Sequence, residues 1–240
     1  MFLYRIYQIF IAIPLLIVVT FIAALLTILG SAAGLSRSMG YWPGHIWARI
    51  FCILTWVRVK VDGQPNIDKK TSYVFVANHQ GAYDIFTIYG YLGHNFRWMM
   101  KKGLMKIPLV GYSCKVSGHI LVDNSTPAAT RATMKKAESQ LSDGMSVVVF
   151  PEGARTLDGR MHAFRRGAYT LAMEFGLPVV PVTIDGAYRI LPRGSFLPRP
   201  GVIKLTIHKP IHAPEGGQHE LATLMKESYD AIASALPEEA

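Results

Sequence analysis

The chain has 240 residues, half of them hydrophobic and only 17% charged, with a formal net charge of +9 and a pI near 9.6. That length holds one α/β domain with a smaller appendage, and an apolar yet basic chain points to an anionic membrane surface, anionic substrates or nucleic acid. Its two cysteines, Cys52 and Cys114, lie far apart with no C-x-x-C, which argues against a disulfide framework or a structural zinc site and fits a reducing compartment.

From Ile9 to Leu29 no residue is charged, enough chain to cross a hydrocarbon core as a helix. A signal peptide is the rival reading, but the apolar run is too long for one and Ser31-Ala32-Ala33 is a weak cleavage site. The segment is therefore read as retained in the membrane, with Pro14 as a tolerated kink. After Arg37 comes a turn-rich stretch, Met39 to Gly44. A second apolar segment then runs from His45 to Val59, interrupted by Arg49 and Arg58 and carrying Trp47 and Trp56. Tryptophan favours the membrane interface. Residues 1–59 thus read as membrane-anchoring helices, and two arrangements fit: one span with an interfacial helix, or a hairpin dipping into one leaflet. With a span, the positive flank of Arg37, Arg49, Arg58 and Lys60 puts the globular part, residues 60–240, in the cytoplasm.

β-branched and aromatic runs predict strands at about 73–77, 97–101, 119–122, 146–150, 179–184 and 202–208. Helices are expected at about 84–93, 127–142, 166–175 and 219–235. The second of these is well punctuated, with Thr126 as N-cap, Pro127 at the first position and Asp143-Gly144 beyond the end. Val202 to His208 alternates apolar and polar residues, the pattern of a half-buried strand that is antiparallel or near an edge. Leu221, Leu224, Met225, Ile232 and Leu236 recur at helical spacing and mark a packing helix. Alternating strands and helices imply an α/β fold, a mostly parallel or mixed sheet flanked by helices behind the apolar N-terminal segment.

Two stretches carry candidate chemistry. Asn78-His79-Gln80-Gly81-Ala82-Tyr83-Asp84 follows the apolar run Tyr73–Ala77, at a strand-to-helix turn where α/β folds commonly place reactive side chains. Histidine suits proton removal near neutral pH, and a nearby carboxylate fixes its tautomer. Five positions on a regular helix is a rotation of about 140°, so the two side chains meet only if the turn folds His79 back. A turn histidine followed by an aspartate in a helix's first turn is the plain alternative. The other stretch, Phe150-Pro151-Glu152-Gly153-Ala154-Arg155-Thr156, follows the apolar run Ser146–Val149.

Together they closely resemble the NHxxxxD and FPEGTRS motifs of the glycerolipid acyltransferase family, typified by lysophosphatidic acid acyltransferase. Further stretches are similar to family motifs: Gly118 to Asn124, Val179-Val180-Pro181-Val182, Phe164-Arg165-Arg166-Gly167-Ala168, and the spacing of Lys101, Leu104, Pro108 and Gly111. The resemblance runs from about residue 70 to 190. It implies His79 and Asp84 as the catalytic pair. It also implies Glu152 and Arg155 as ligands of a glycerol phosphate, with Gly153, Lys101 and Lys106 beside them.

Such a transfer needs a base for the attacking hydroxyl and a cationic clamp for a phosphate. His79 supplies the first. Arg155 offers a planar fork to phosphate oxygens, next to Gly153, where backbone N–H groups can approach an anion. Glu152 either bonds the acceptor's glycerol hydroxyl or holds Arg155. No G-x-S-x-G is present, which favours direct attack over an acyl-enzyme. The expected reaction moves a fatty acyl group from acyl-CoA or acyl carrier protein to lysophosphatidic acid, giving phosphatidic acid, at the cytoplasmic membrane and without a cofactor. Two departures bear on this. Asn124 stands where the family has arginine, and Ala154 where it has threonine; the first means either a different acceptor head group or compensation by Lys101, Lys106 or Arg165. Another lysolipid, glycerol-3-phosphate, and a non-catalytic lipid-binding module are the alternatives. His119 reads as structural or solvated. Pro210 argues against a helix that would align His208 with His212 as ligands, so no metal is expected. The basic residues are scattered, with no nucleic-acid motif beside them.

Overall fold

The computed structural model describes residues 2–101, 103, 105, 107, 109–122, 126–141, 144–213 and 217–237. Leu104, Lys106, Pro108, Asp123, Asn124 and Asp143 lie outside the described residues, as does the side chain of Lys101. The chain opens with helix α1 (Phe2–Tyr7), a π-helical turn (Gln8–Ala12) and α2 (Ile13–Ala32). The wide turn falls just before Pro14, whose ring would otherwise clash with the carbonyl four residues back. This helix, Phe2–Ala32, is long and apolar enough to cross a membrane.

It does not project away from the rest. The Tyr4 hydroxyl donates to Thr55 O at 2.7 Å, Trp47 Nε1 donates to Thr20 Oγ1 at 2.9 Å, and Gly30 abuts Met39. Both ends and the middle therefore rest on the next part of the chain, which holds α3 (Ser36–Met39) and α4 (Trp42–Leu54). Sequence expectation ran the second apolar segment to Val59. The helix instead stops at Leu54, Trp56 takes a left-handed φ of 57°, and strand β1 (Val57–Asp62) begins. Val57 and Val59 face inward while Arg58 and Lys60 face solvent, so the charges that looked like interruptions are the outer positions of a strand. The division expected between residues 59 and 60 falls inside it.

The remaining elements are β2 (Val74–Ala77), α5 (Tyr83–Tyr91), β3 (Phe96–Lys101), α6 (Val110–Val116), β4 (Ile120–Val122), α7 (Pro127–Glu138), β5 (Ser146–Val149), α8 (Gly167–Glu174), β6 (Val179–Asp185), α9 (Ala187–Ile190), β7 (Gly201–Ile207) and α10 (Gln218–Ala233). One seven-stranded sheet runs in the order β1-β7-β6-β2-β5-β3-β4. Its neighbours are parallel except β6 and β7, which pair antiparallel from Val182–Ile207 to Asp185–Lys204. The sheet is mixed, as expected.

The period-two pattern of the strands divides the core into two layers. Phe75, Ala77, Val148, Val180 and Val182 pack with α4 and α5 on one face. Val74, Val76, Val147 and Val179 pack with Tyr169, Leu171 and Leu224 of α8 and α10 on the other. Buried Arg97 fastens the first layer to the N-terminal helices, its guanidinium donating to Ser36 O and Arg37 O at 3.0 and 3.2 Å. His119 is buried too. Its Nδ1 accepts from Trp98 N and its Nε2 reaches the Tyr89 hydroxyl at 3.0 Å. Burial, with Arg97 and Lys136 nearby, lowers its pKa to about 3, so it stays neutral and is structural.

Candidate active site

β2 and β5 are parallel neighbours, so the stretches after them emerge side by side at the carboxyl edge of the sheet, where α/β sheets offer a crevice. Asn78 fixes the first. Its Nδ2 donates to Ile184 O at 2.9 Å and its Oδ1 accepts from Ile184 N at 2.8 Å, extending the pairing of β2 with β6 by one residue. The chain then turns back at Gly81, whose N–H donates to Asp84 Oδ2 at 2.8 Å. A Cβ on Gly81 would lie 2.6 Å from Ala187 O, so this turn requires glycine.

That turn folds His79 onto Asp84. His79 Nδ1 and Asp84 Oδ2 are 2.7 Å apart, with Asp84 fully buried and the His79 side chain 13% exposed. An ionised carboxylate only accepts, so Nδ1 carries the proton and Nε2 keeps a lone pair. The imidazole lies flat on Phe150, with centroids 3.9 Å apart and planes 8° from parallel. Burial pushes the Asp84 carboxyl above its ordinary value, against the pull of His79 and of the Gly81 and Gln80 amides.

That direction makes stability depend on pH. A raised folded pKa means that Asp84 contributes most in acid, below the unfolded carboxylate value of about 3.9. The contribution is lost as pH climbs through the folded value. Asp84→Asn removes this dependence. The variant should therefore gain on the wild type as pH rises above about 3.9, read from thermal melts over a pH series; a constant difference throughout would show that folding does not raise the Asp84 pKa.

The second stretch interlocks with the first. Buried Glu152 accepts from His79 N at 2.7 Å through Oε1 and from His162 N at 3.0 Å through Oε2, and Thr156 N donates to His79 O at 3.0 Å. Among the described residues it is these amides, not Arg155, that take the Glu152 oxygens. Burial pushes this carboxyl up as well, and the two amides draw it part of the way back. Gly153 has a φ of 76°, and a Cβ there would lie 2.9 Å from Cζ of Arg165.

A cleft of about 390 Å³ opens over this arrangement. Trp98, Met100, Val149 and Phe150 give it an apolar interior, with His79, Gly153 and exposed Arg165 at its mouth. So the structure brings together His79, Asp84, Glu152 and Gly153. Arg155 sits beside them on the turn, half-buried and outside the cleft wall. Among the described residues, the cation in the wall is Arg165, from the Phe164–Ala168 stretch, which the sequence offered only as one substitute for the arginine missing at Asn124. Lys101 closes β3, paired with Val122. No cluster of metal-ligating side chains occurs among the described residues.

A family model described as Acyltransferase matches residues 58–185, more than half of the chain. The chain belongs to the Acyltransferase family. Among its relatives is the chloroplastic 1-acyl-sn-glycerol-3-phosphate acyltransferase of Arabidopsis thaliana, 33% identical over 198 residues, which are 81% of this chain and 55% of the relative. The 1-acyl-sn-glycerol-3-phosphate acyltransferase of Pseudomonas aeruginosa is 29% identical over 197 residues, 80% of this chain and 76% of that protein. The chain spans little more than half the length of the chloroplastic relatives from Arabidopsis thaliana and Brassica napus. The crystal structure of the 1-acyl-sn-glycerophosphate (LPA) acyltransferase PlsC from Thermotoga maritima superposes with a TM-score of 0.75 at 24% identity, covering 98% of this chain and 96% of that one. That structure therefore shares this fold, N-terminal helices included.

Proposed function

We propose that this protein moves a fatty acyl group from an acyl thioester, acyl-CoA or acyl carrier protein, to the free hydroxyl of lysophosphatidic acid, giving phosphatidic acid. The observation that carries the reading is a histidine oriented by a buried carboxylate at the mouth of an apolar cleft. His79 Nε2 takes the acceptor's hydroxyl proton as the oxygen attacks the thioester carbonyl. Asp84 holds the tautomer and steadies the imidazolium that forms. The carbon–oxygen bond forms, the carbon–sulfur bond breaks, and the proton leaves with the thiol. Phe150 keeps the ring from rotating, and the apolar cleft takes the transferred chain. Arg165 and Arg155 meet the phosphate, with Gly153 letting it approach the backbone. The relatives' names support the acceptor.

The N-terminal helix supports a membrane location. Because it packs on α3 and α4 at Tyr4, Thr20 and Gly30 and is tied to the domain by Gln8 Nε2 donating to Pro198 O at 2.8 Å, it lies along the bilayer surface rather than across it. Its outer side, with Phe10, Val18 and Leu29 exposed, then faces lipid, and a net charge of +9 favours anionic head groups and an acidic carrier. Strand β1 and the elements after it form the acyltransferase domain.

Acyl transfer by the purified chain in detergent, with thioester donors and a panel of lyso-acceptors, tests the reading. Turnover on lysophosphatidic acid supports it. Turnover confined to acceptors lacking a phosphate monoester overturns the acceptor, and lipid binding without turnover overturns the reaction. In the same assay Arg165→Ala should raise KM for lysophosphatidic acid roughly 10- to 100-fold, the loss of one charge-assisted pair. Arg155→Ala, outside the cleft wall, should have the smaller effect.

A further inference from the structure

We infer that a second apolar groove, between the N-terminal helix and α5, holds the acyl chain that the acceptor already carries. The inference rests on the acyl transfer proposed above. The first turn of α5 is a partition. Ile85 lines the catalytic cleft, whereas Ala82, Tyr83 and Phe86 line a separate cavity of about 510 Å³. Its far wall is Ile13, Leu16 and Ile17 of α2, and its outer lip is Phe196, the most exposed large apolar side chain at 92%.

Among the described residues, the groove has polar side chains but no polar handle. Gln8 Nε2 donates to Pro198 O at 2.8 Å, and its Oε1 accepts from Arg5 at 2.7 Å. Thr20 Oγ1 donates to Leu16 O and accepts from Trp47, while Thr55 Oγ1 donates to Phe51 O and accepts from the Tyr83 hydroxyl at 2.6 Å. Every side-chain hydrogen bond along the wall is spent inside the protein, so the cavity selects hydrocarbon.

Acceptor chemistry decides which hydrocarbon. In a lysophospholipid the hydroxyl to be acylated sits on the glycerol carbon next to the one that carries the resident chain, or one beyond it. At the moment of transfer the two chains must therefore leave the reaction centre from almost the same place, along different paths. A partition one helix wide, about 10 Å across with its side chains, provides that. The cleft containing His79 takes the chain being transferred. The groove opens beside the exposed flank of α2, continuous with the surface proposed to face lipid, which suits the chain of the substrate that arrives from the bilayer.

The test uses lysophosphatidic acid with a photoreactive diazirine at the end of its chain, irradiated with the wild-type protein in vesicles. Adducts on residues 12–21, 51–55 or 196–198, displaced by unlabelled lysophosphatidic acid, are expected. Adducts confined to residues 98–100 and 149–168 overturn the assignment, as does equal displacement by a diacyl phospholipid. A second measurement reads selectivity. Ile13→Trp, at a half-exposed site in the groove wall, should lower turnover of a long-chain acceptor roughly tenfold relative to a short-chain one, leaving the donor-chain profile as in wild type. A shifted donor profile, or equal loss on both acceptors, overturns it. Absence of transfer by the wild type would instead fall on the proposed reaction, since labelling needs no turnover.

Discussion

His79→Ala should lower kcat by about a thousandfold, within the range of roughly 10²–10⁴ that a positioned general base contributes, and should do so without unfolding the protein. The side chain is only partly enclosed, and its backbone N–H and C=O are held by Glu152 and Thr156 independently of the ring. What disappears is the proton acceptor and the partner of Asp84. With the imidazole gone, the buried carboxyl loses the group that most favours its charge, so burial raises its pKa further. KM for either substrate should change little, because the apolar interior of the cleft, the second groove and both arginines stay in place. His79→Asn, which keeps a polar atom but no basic nitrogen, should be equally inactive. Transfer at more than about a tenth of the wild-type kcat, far above that range, would mean that another group removes the proton.

The pair could be read from residues because its two members are five apart in one turn, and the need to fold back was visible in the helical geometry. The strands Val74–Ala77 and Ser146–Val149 were legible for a related reason. Buried on both faces, parallel strands select continuous β-branched runs. The N-cap at Thr126, whose Oγ1 accepts from Ala129 N at 3.1 Å, and the alternation of β7 were local signals of the same kind. Strand β1 was not legible, since its alternating Arg58 and Lys60 sit at the end of an apolar helix and its partner, β7, lies far along the chain. Helices α6 and α9 are too short to show a period. Glu152 was hidden more deeply. Its partners are backbone amides of His79 and His162, and a backbone amide looks the same at every position of a sequence.

Glu152→Ala should therefore cost stability and activity together. Each Glu152 oxygen satisfies one amide, and deleting the carboxylate leaves two N–H groups without partners in a partly enclosed site. At about 1–3 kcal/mol for each unsatisfied group, the loss is roughly 2–6 kcal/mol, visible as a lower Tm. The His79 amide belongs to the residue that must be aimed, so kcat should fall by at least about tenfold while KM rises less, as displacement of reacting groups by about an ångström is costly. Glu152→Gln separates the contributions. Its carbonyl oxygen can still accept from His79 N, but its NH₂ then opposes the His162 N–H, so it should recover the larger part of kcat and only part of the stability. If Glu152 instead bonded the glycerol of the acceptor, alanine would raise KM, spare Tm, and gain nothing from glutamine on the donor side. Melting curves and kcat against KM for the two variants decide between a carboxylate that grips the substrate and one that grips the loop holding the base.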